Sequence, residues 1–278
     1  VLFFIFVTSY FLYSKKNSSQ KILEDKFINN YYRDEDLSIP KELNYKAPSK
    51  ESTLKIPILM YHYVENVKDK KDTIRIGLNT PPKIFEEQLT TILKNEYTPV
   101  TQTEIIDFLK NKSEMPNKPI AITFDDGYED FYTVAFPILK KYQVKATIYI
   151  IVDFLDYPNY MTRGQLDEIA NSDLVEIGSH TLNHIYLKTA NKNLAEKEID
   201  ESKKLLESYI QREIKSFAYP YGAFNEDAKN IVEESGYQSA VSVIPGINQS
   251  LSNEYFLYRL RPGFRTDNEL IKFLENSK

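Results

Sequence analysis

The run Ile120-Ala121-Ile122-Thr123-Phe124 stops abruptly at two adjacent carboxylates and a glycine, Asp125-Asp126-Gly127. Alternation and β-branching make the run a short buried strand. The carboxylates then sit where the strand ends and the chain turns. Neighbouring residues at a strand end point in different directions, so Asp125 and Asp126 can hold different jobs. In α/β folds, chemistry collects at the carboxyl ends of parallel strands.

Other segments repeat this logic. Residues 56–64 are nearly continuous apolar and read as a strand covered on both faces, with His62 towards its end. Residues 97–100, 146–152, 175–180, 216–222, 239–243 and 255–260 read as further strands. Helices are expected after Pro81-Pro82 and over 103–109, 131–142, 165–170 and 194–210. Two more follow Asn225 and Thr266. Pro137 marks a kink or a delayed first turn in 131–142. The charges of 194–210 read as a solvated face around the stripe Ile199, Leu206 and Ile210. Asn225 is a helix cap, and Thr266 with Glu269 has capping-box spacing. Strands alternating with helices predict an α/β domain with a parallel sheet.

Composition narrows the chemistry. The 278 residues are 42% hydrophobic and include 16 Phe and 21 Tyr, enough for a sizeable core. A net charge of −5 leaves no basic footprint for nucleic acid. Cysteine is absent, which excludes disulfides, thiolate metal sites and a thiol nucleophile. Histidine chemistry must use His62, His180 and His184. Residues 1–13 are apolar and read as the end of a signal peptide or membrane anchor, followed by a polar spacer over 14–53 with one short helix around 21–32. The folded domain is then 54–278.

His180 and His184 follow the strand 175–180 and stand four residues apart. On a helical turn, i and i+4 share a face, so both imidazoles can reach one ion. A carboxylate from another strand end completes a two-His, one-carboxylate set with room for water, a catalytic zinc-type arrangement. Other divalent ions suit related sets.

The segments Thr-Phe-Asp-Asp-Gly-Tyr (123–128), Gly-Ser-His-Thr-Leu-Asn-His (178–184) and Phe-Ala-Tyr-Pro-Tyr-Gly (217–222) resemble the successive motifs of polysaccharide deacetylases, the NodB homology domain of carbohydrate esterase family 4. The resemblance runs from about Ile56 to the C-terminus. It implies a distorted (β/α) barrel of about seven strands and an acetylated glycan as substrate. It implies that Asp125 is the general base, that Asp126, His180 and His184 hold one divalent ion (zinc first, then cobalt, nickel or iron(II)), and that the backbone N–H of Tyr221 binds the oxyanion.

Two departures direct the comparison further. Many members carry an arginine in the third motif that orients the catalytic Asp, where this chain has Ala218; many use a histidine near the C-terminus as the acid, and none follows His184 here. Both departures resemble the poly-N-acetylglucosamine deacetylase branch. There a Tyr-His near the start of the domain supplies the acid, which Tyr61-His62 matches. Arg259 is the candidate replacement for the orienting arginine. A normal imidazole pKa suits His62 to protonating an amine leaving group. Tyr128, Tyr219 and Tyr221 are candidate faces for sugar rings. The expected enzyme is a monomer at the extracytoplasmic face, anchored or secreted, that removes N-acetyl groups from a GlcNAc-containing glycan. An O-acetyl esterase on a xylan-like glycan and an inactive glycan-binding protein are the alternatives.

Overall fold

The structure, a computed structural model, describes residues 53–277. The expected anchor over 1–13 and the spacer over 14–53, save its last residue, lie outside the described residues. Among the described residues no helix is long and apolar enough to cross a membrane.

Among the described residues there are nine strands: β1 (Leu54–Lys55), β2 (Ile58–Tyr61), β3 (Thr98–Val100), β4 (Pro119–Phe124), β5 (Ala146–Ile150), β6 (Val175–Ser179), β7 (Ser216–Ala218), β8 (Ser239–Val241) and β9 (Asn248–Gln249). Six run side by side around a curled sheet in the order β2-β4-β5-β6-β7-β8, and β3 adds a seventh beside the first half of β4. Every pairing in this sheet is parallel. β1 and β9 form a separate antiparallel pair.

The expected last strand over 255–260 takes another form. Leu257 bridges to Val241 of β8, and Leu260 bridges to Leu59 of β2. Leu257 N–H donates to Ala240 O at 2.8 Å, while Leu260 N–H donates to Ile58 O at 2.8 Å. A segment tied to one edge at its start and to the other at its end cannot lie flush along either. It therefore spans the gap in the curl and carries Arg259 between the two edges.

Alternation sorts the side chains into two cores. Ile56, Ile58, Ala121, Tyr149, Ala218, Val241 and Leu257 share an inner cluster. Leu59, Tyr61, Ile120, Ile122, Phe124, Ile148 and Ile177 belong to an outer cluster that packs against helices, including Phe85, Leu89 and Ile92 of Pro82–Lys94. Burying each such side chain contributes about 1.5–3 kcal/mol. Gly178 sits on the inner face of β6, where a Cβ would stand 2.4 Å from the Tyr149 ring. The absent side chain makes room for that tyrosine.

The helices follow the expected stripes with local differences. Pro137 lies in the first turn of Phe136–Tyr142, directly after a π-helical turn, Phe131–Ala135. The expected helix over 194–210 is Lys192–Glu196 and Ser202–Ile210 joined by a second π-helical turn, Lys197–Glu201. Its charges are not all solvated, because Glu198 is only 4% exposed. Asn225 caps its helix through Oδ1 to Ala228 N. Thr266 forms no side-chain cap: Asp267 N–H donates to Thr91 Oγ1, and the first turn closes on the Thr266 carbonyl instead.

Candidate active site

The parity of the strands determines which residues meet. Ile58 of β2 points inward, as does Ile56 just before the strand, so His62 continues that face beyond the strand end. On β4 Ala121 points inward, and Asp125 shares its parity. On β6 Ile177 points outward, so Gly178 and His180 face inward. Three chemically capable side chains thus emerge at the carboxyl ends of three strands, over one end of the inner core.

Asp126 has the wrong parity and joins them by a backbone reversal. Asp126 (φ 78°) and Gly127 (φ 77°) are consecutive left-handed residues. That region costs little for glycine and more for a side-chain-bearing residue, roughly 1–3 kcal/mol. The turn is pinned by Met161 N–H to Gly127 O at 3.0 Å.

Ligand atoms of Asp126, His180 and His184 all lie within 4.8 Å of one another. Nε2 of His180 is 3.3 Å and Nε2 of His184 is 3.5 Å from Asp126 Oδ1. The two histidines are not on a helical turn as their spacing suggests. They bracket a loop in which Thr181 (φ 67°) and His184 (φ 56°) are left-handed, and Thr181 Oγ1 accepts from His184 N at 2.9 Å. This folded-back loop brings the rings to a centroid distance of 4.9 Å.

The donor set fits a cation. His180 Nδ1 lies 2.7 Å from the Ala218 carbonyl, which can only accept, so Nδ1 carries a proton. In the neutral ring Nε2 is then a lone pair, and it faces a carboxylate oxygen. Asp126 is buried, and among the described residues its Oδ1 receives no well-formed hydrogen bond. Three electron-rich atoms converging in a largely buried site require a proton or a metal ion between them. Burial pushes the Asp126 carboxyl up, but the His180 contact and the neighbouring imidazoles pull it well below the usual range. Burial takes His184 down to about 3, which keeps its ring neutral and ligand-competent.

Asp125 is held by a fork. Arg259 donates from one guanidinium nitrogen to Oδ1 and from the other to Oδ2, both at 2.7 Å. Its Nε donates to Ser242 O at 2.7 Å, and the same nitrogen that serves Oδ1 also reaches Thr123 Oγ1 at 3.2 Å. Burial raises the Asp125 carboxyl, and the charge and hydrogen bonds of Arg259 override it, so the net shift is downward. The third-motif position Ala218 instead packs in the inner core beside Tyr149.

His62 places Nε2 4.0 Å from Asp125 Oδ2. Its pKa is not the ordinary one expected: burial lowers it to about 4, against the pull of Asp126 and Asp125, with Arg261 and Arg259 adding to the lowering. Tyr221 is left-handed (φ 60°) within the turn Pro220–Gly222, and its ring lies 4.5 Å from that of His184. Tyr128 stacks between Tyr63 at 3.9 Å and Tyr160 at 4.9 Å. Tyr219 is not a sugar face: it is fully buried, and its hydroxyl donates to Tyr255 O.

Residues that sequence reasoning passed over support this constellation. Glu198 accepts from Asn183 within the histidine loop, and Arg261 contributes to the field at His62. Neither carries a motif signature; the one available hint for Glu198 is its place beside the apolar stripe at Ile199.

Comparison with known proteins gives this fold and site a family. The sequence model described as polysaccharide deacetylase matches residues 112–240. YxkH of Bacillus subtilis is 33% identical over 211 residues, covering 76% of this chain and 72% of its own. Poly-beta-1,6-N-acetyl-D-glucosamine N-deacetylase of Staphylococcus aureus is 26% identical over 80% of this chain and 81% of its own. Among solved structures, the Streptococcus pyogenes deacetylase PplD in complex with acetate superposes with a TM-score of 0.73 at 29% identity, over 82% of this chain and 100% of its own. The chain belongs to the polysaccharide deacetylase family, and it is an enzyme of that class, built on the curled parallel barrel of the NodB homology domain.

Proposed function

We propose that the protein is a metal-dependent N-deacetylase acting on a GlcNAc-containing glycan outside the membrane. One observation carries the reading: a buried carboxylate clamped by Arg259 stands next to a three-ligand cluster, with the His62 imidazole 4.0 Å from it. The Staphylococcus aureus relative, named for poly-beta-1,6-N-acetyl-D-glucosamine, supports the substrate class.

His180, His184 and Asp126 would hold the ion, and their nitrogen and oxygen donors suit zinc. A divalent cation there supplies polarisation of the acetyl carbonyl and a lowered pKa for a nearby water. Asp125, kept ionised by Arg259, accepts a proton from the attacking water. The Tyr221 N–H donates to the developing oxyanion, and its left-handed backbone pre-sets that aim. His62 delivers a proton to the departing nitrogen. A pKa near 4 leaves His62 neutral at rest, so the proton it delivers enters during the cycle, from the water by way of Asp125 4.0 Å away. Tyr221 offers a ring face to the sugar, whereas Tyr128 already has Tyr63 and Tyr160 against its ring.

The same lowered pKa supports a second reading, O-acetyl esterase activity, because an alkoxide leaves with less help from an acid than an amine does. Acetate release from chitooligosaccharide against acetylated xylan separates the two. A binding protein without turnover would hold oligosaccharide and release no acetate at saturating zinc; the complete set of Asp125, Asp126, His62, His180 and His184 weighs against it.

A further inference from the structure

The loop that bears the two histidines is gripped from behind at both ends. Ser179, immediately before His180, contacts Ser202 Oγ at 2.7 Å. Ser202 donates its own proton to Ile199 O at 2.8 Å, so the Ser179 hydroxyl is the donor in that contact. Asn183, immediately before His184, gives its backbone N–H to Glu198 Oε2 at 2.8 Å and its side-chain amide to Oε1 at 3.1 Å. Glu198 and Ser202 are four residues apart, as are Ser179 and Asn183. Two matched spacings therefore meet, one on a helical turn and one on the loop.

The helical partner is not a regular helix. Glu198 lies inside the π-helical turn Lys197–Glu201 and Ser202 directly follows it. Such turns shift the facing of the residues around them and recur at functional sites. Ile199 O, within the turn, also receives the Tyr237 hydroxyl at 3.1 Å, and that hydroxyl stands 3.4 Å from Ser202 Oγ, so the turn is anchored beside the Ser179 contact as well. Glu198 and Ser202 are 4% and 0% exposed. A carboxylate that deep, accepting from two donors of one asparagine, is turned towards the ligand loop rather than towards solvent.

We propose that Glu198 and Ser202 form a clamp that holds the 179–184 loop in its folded-back shape and thereby sets the affinity of His180 and His184 for the ion. The inference rests on the metal-site reading above. Glu198 is a positioning residue: it acts through Asn183. Outer partners of this kind are worth about 10–100-fold in metal affinity.

The test is zinc affinity of the full chain, measured by chelator competition, with thermal unfolding of the EDTA-stripped protein alongside. Glu198→Ala is expected to weaken zinc binding about 10–100-fold. Glu198→Gln, which keeps an acceptor for the Asn183 N–H, is expected to stay within about threefold, and zinc at saturation is expected to restore most of the turnover of Glu198→Ala. A folded Glu198→Ala whose zinc affinity lies within twofold of wild type overturns the clamp. Should Glu198→Ala not fold, Asn183→Ala cuts the side-chain half of the same link from the loop side. A loss of threefold or more there supports the clamp, and an unchanged affinity overturns it. A wild-type chain that binds no zinc refutes the metal site itself, whereas a wild type that binds while the variants match it refutes the clamp alone.

Discussion

Arg259 and Asp125 are 134 residues apart in the chain and meet as a two-pronged ion pair, both contacts at 2.7 Å, with the guanidinium wholly buried. Removing one partner of such a pair leaves a charge stranded, at about 3–5 kcal/mol. The informative change is Arg259→Lys, which keeps the charge and loses the fork. It is expected to lower kcat about 10–100-fold while zinc affinity stays within threefold. Because burial alone raises the Asp125 carboxyl, weakening its partner moves the acid limb of kcat/KM to higher pH. An unchanged rate and an unmoved limb would remove Arg259 from the mechanism.

His62→Ala is expected to retain zinc and lose about 10²–10⁴-fold in N-acetyl hydrolysis, the usual range for a positioned proton donor. The loss on an O-acetyl substrate is expected to be smaller. Steady-state rates on both substrates, with metal content measured in the same samples, decide this. Full activity in the variant contradicts the role.

Asp130 gives a pH effect at a group outside the ligand set. Its carboxylate accepts from Val64 N, but burial outweighs that bond and pushes its pKa up to about 6. The folded state therefore holds this proton more tightly than the unfolded chain, whose Asp titrates near 4. Stability is lost as pH rises from about 4 to 6, and the loss is complete above that window. Asp130→Asn keeps an acceptor without the charge. It is expected to gain of order 1 kcal/mol over wild type at pH 7, a difference that disappears below pH 4 in urea titrations. A constant difference across pH would refute the assignment.

Gly178→Ala places a methyl 2.4 Å from the Tyr149 ring and 2.8 Å from Ser216 Oγ. Overpacking of this kind costs about 1–3 kcal/mol. Urea denaturation is expected to show that loss, with partial recovery when Tyr149 is replaced by Leu. A neutral Gly178→Ala would mean the inner core is looser than the contacts indicate.

The fold was legible because strand parity and helix stripes are local signals. Ile120, Ile122 and Phe124 announce β4, and Asp125 inherits its inward face from the same period. The segment 257–260 was harder: its leucines read as a strand, yet a piece that closes a ring between two edges differs from a ladder strand only through partners distant in sequence. His180 and His184 were named from helix spacing, whereas the structure joins them through left-handed Thr181 and His184. Spacing records that two residues are near, and not by which turn. Arg259 could be nominated only because Ala218 left a role open. Glu198 was read with the solvated charges around it, since nothing local marks a π-helical turn that carries one carboxylate inward.

The central claim is that the reaction needs both an ion at Asp126, His180 and His184 and the ionised carboxylate of Asp125 held by Arg259. The most direct test is acetate release from a β-1,6-linked N-acetylglucosamine oligomer by EDTA-stripped enzyme titrated with zinc. Release is expected to start near zero, to rise to a plateau at one equivalent, and to be abolished in Asp125→Asn at the same zinc content. Release by the stripped enzyme, or undiminished release by Asp125→Asn, would contradict it.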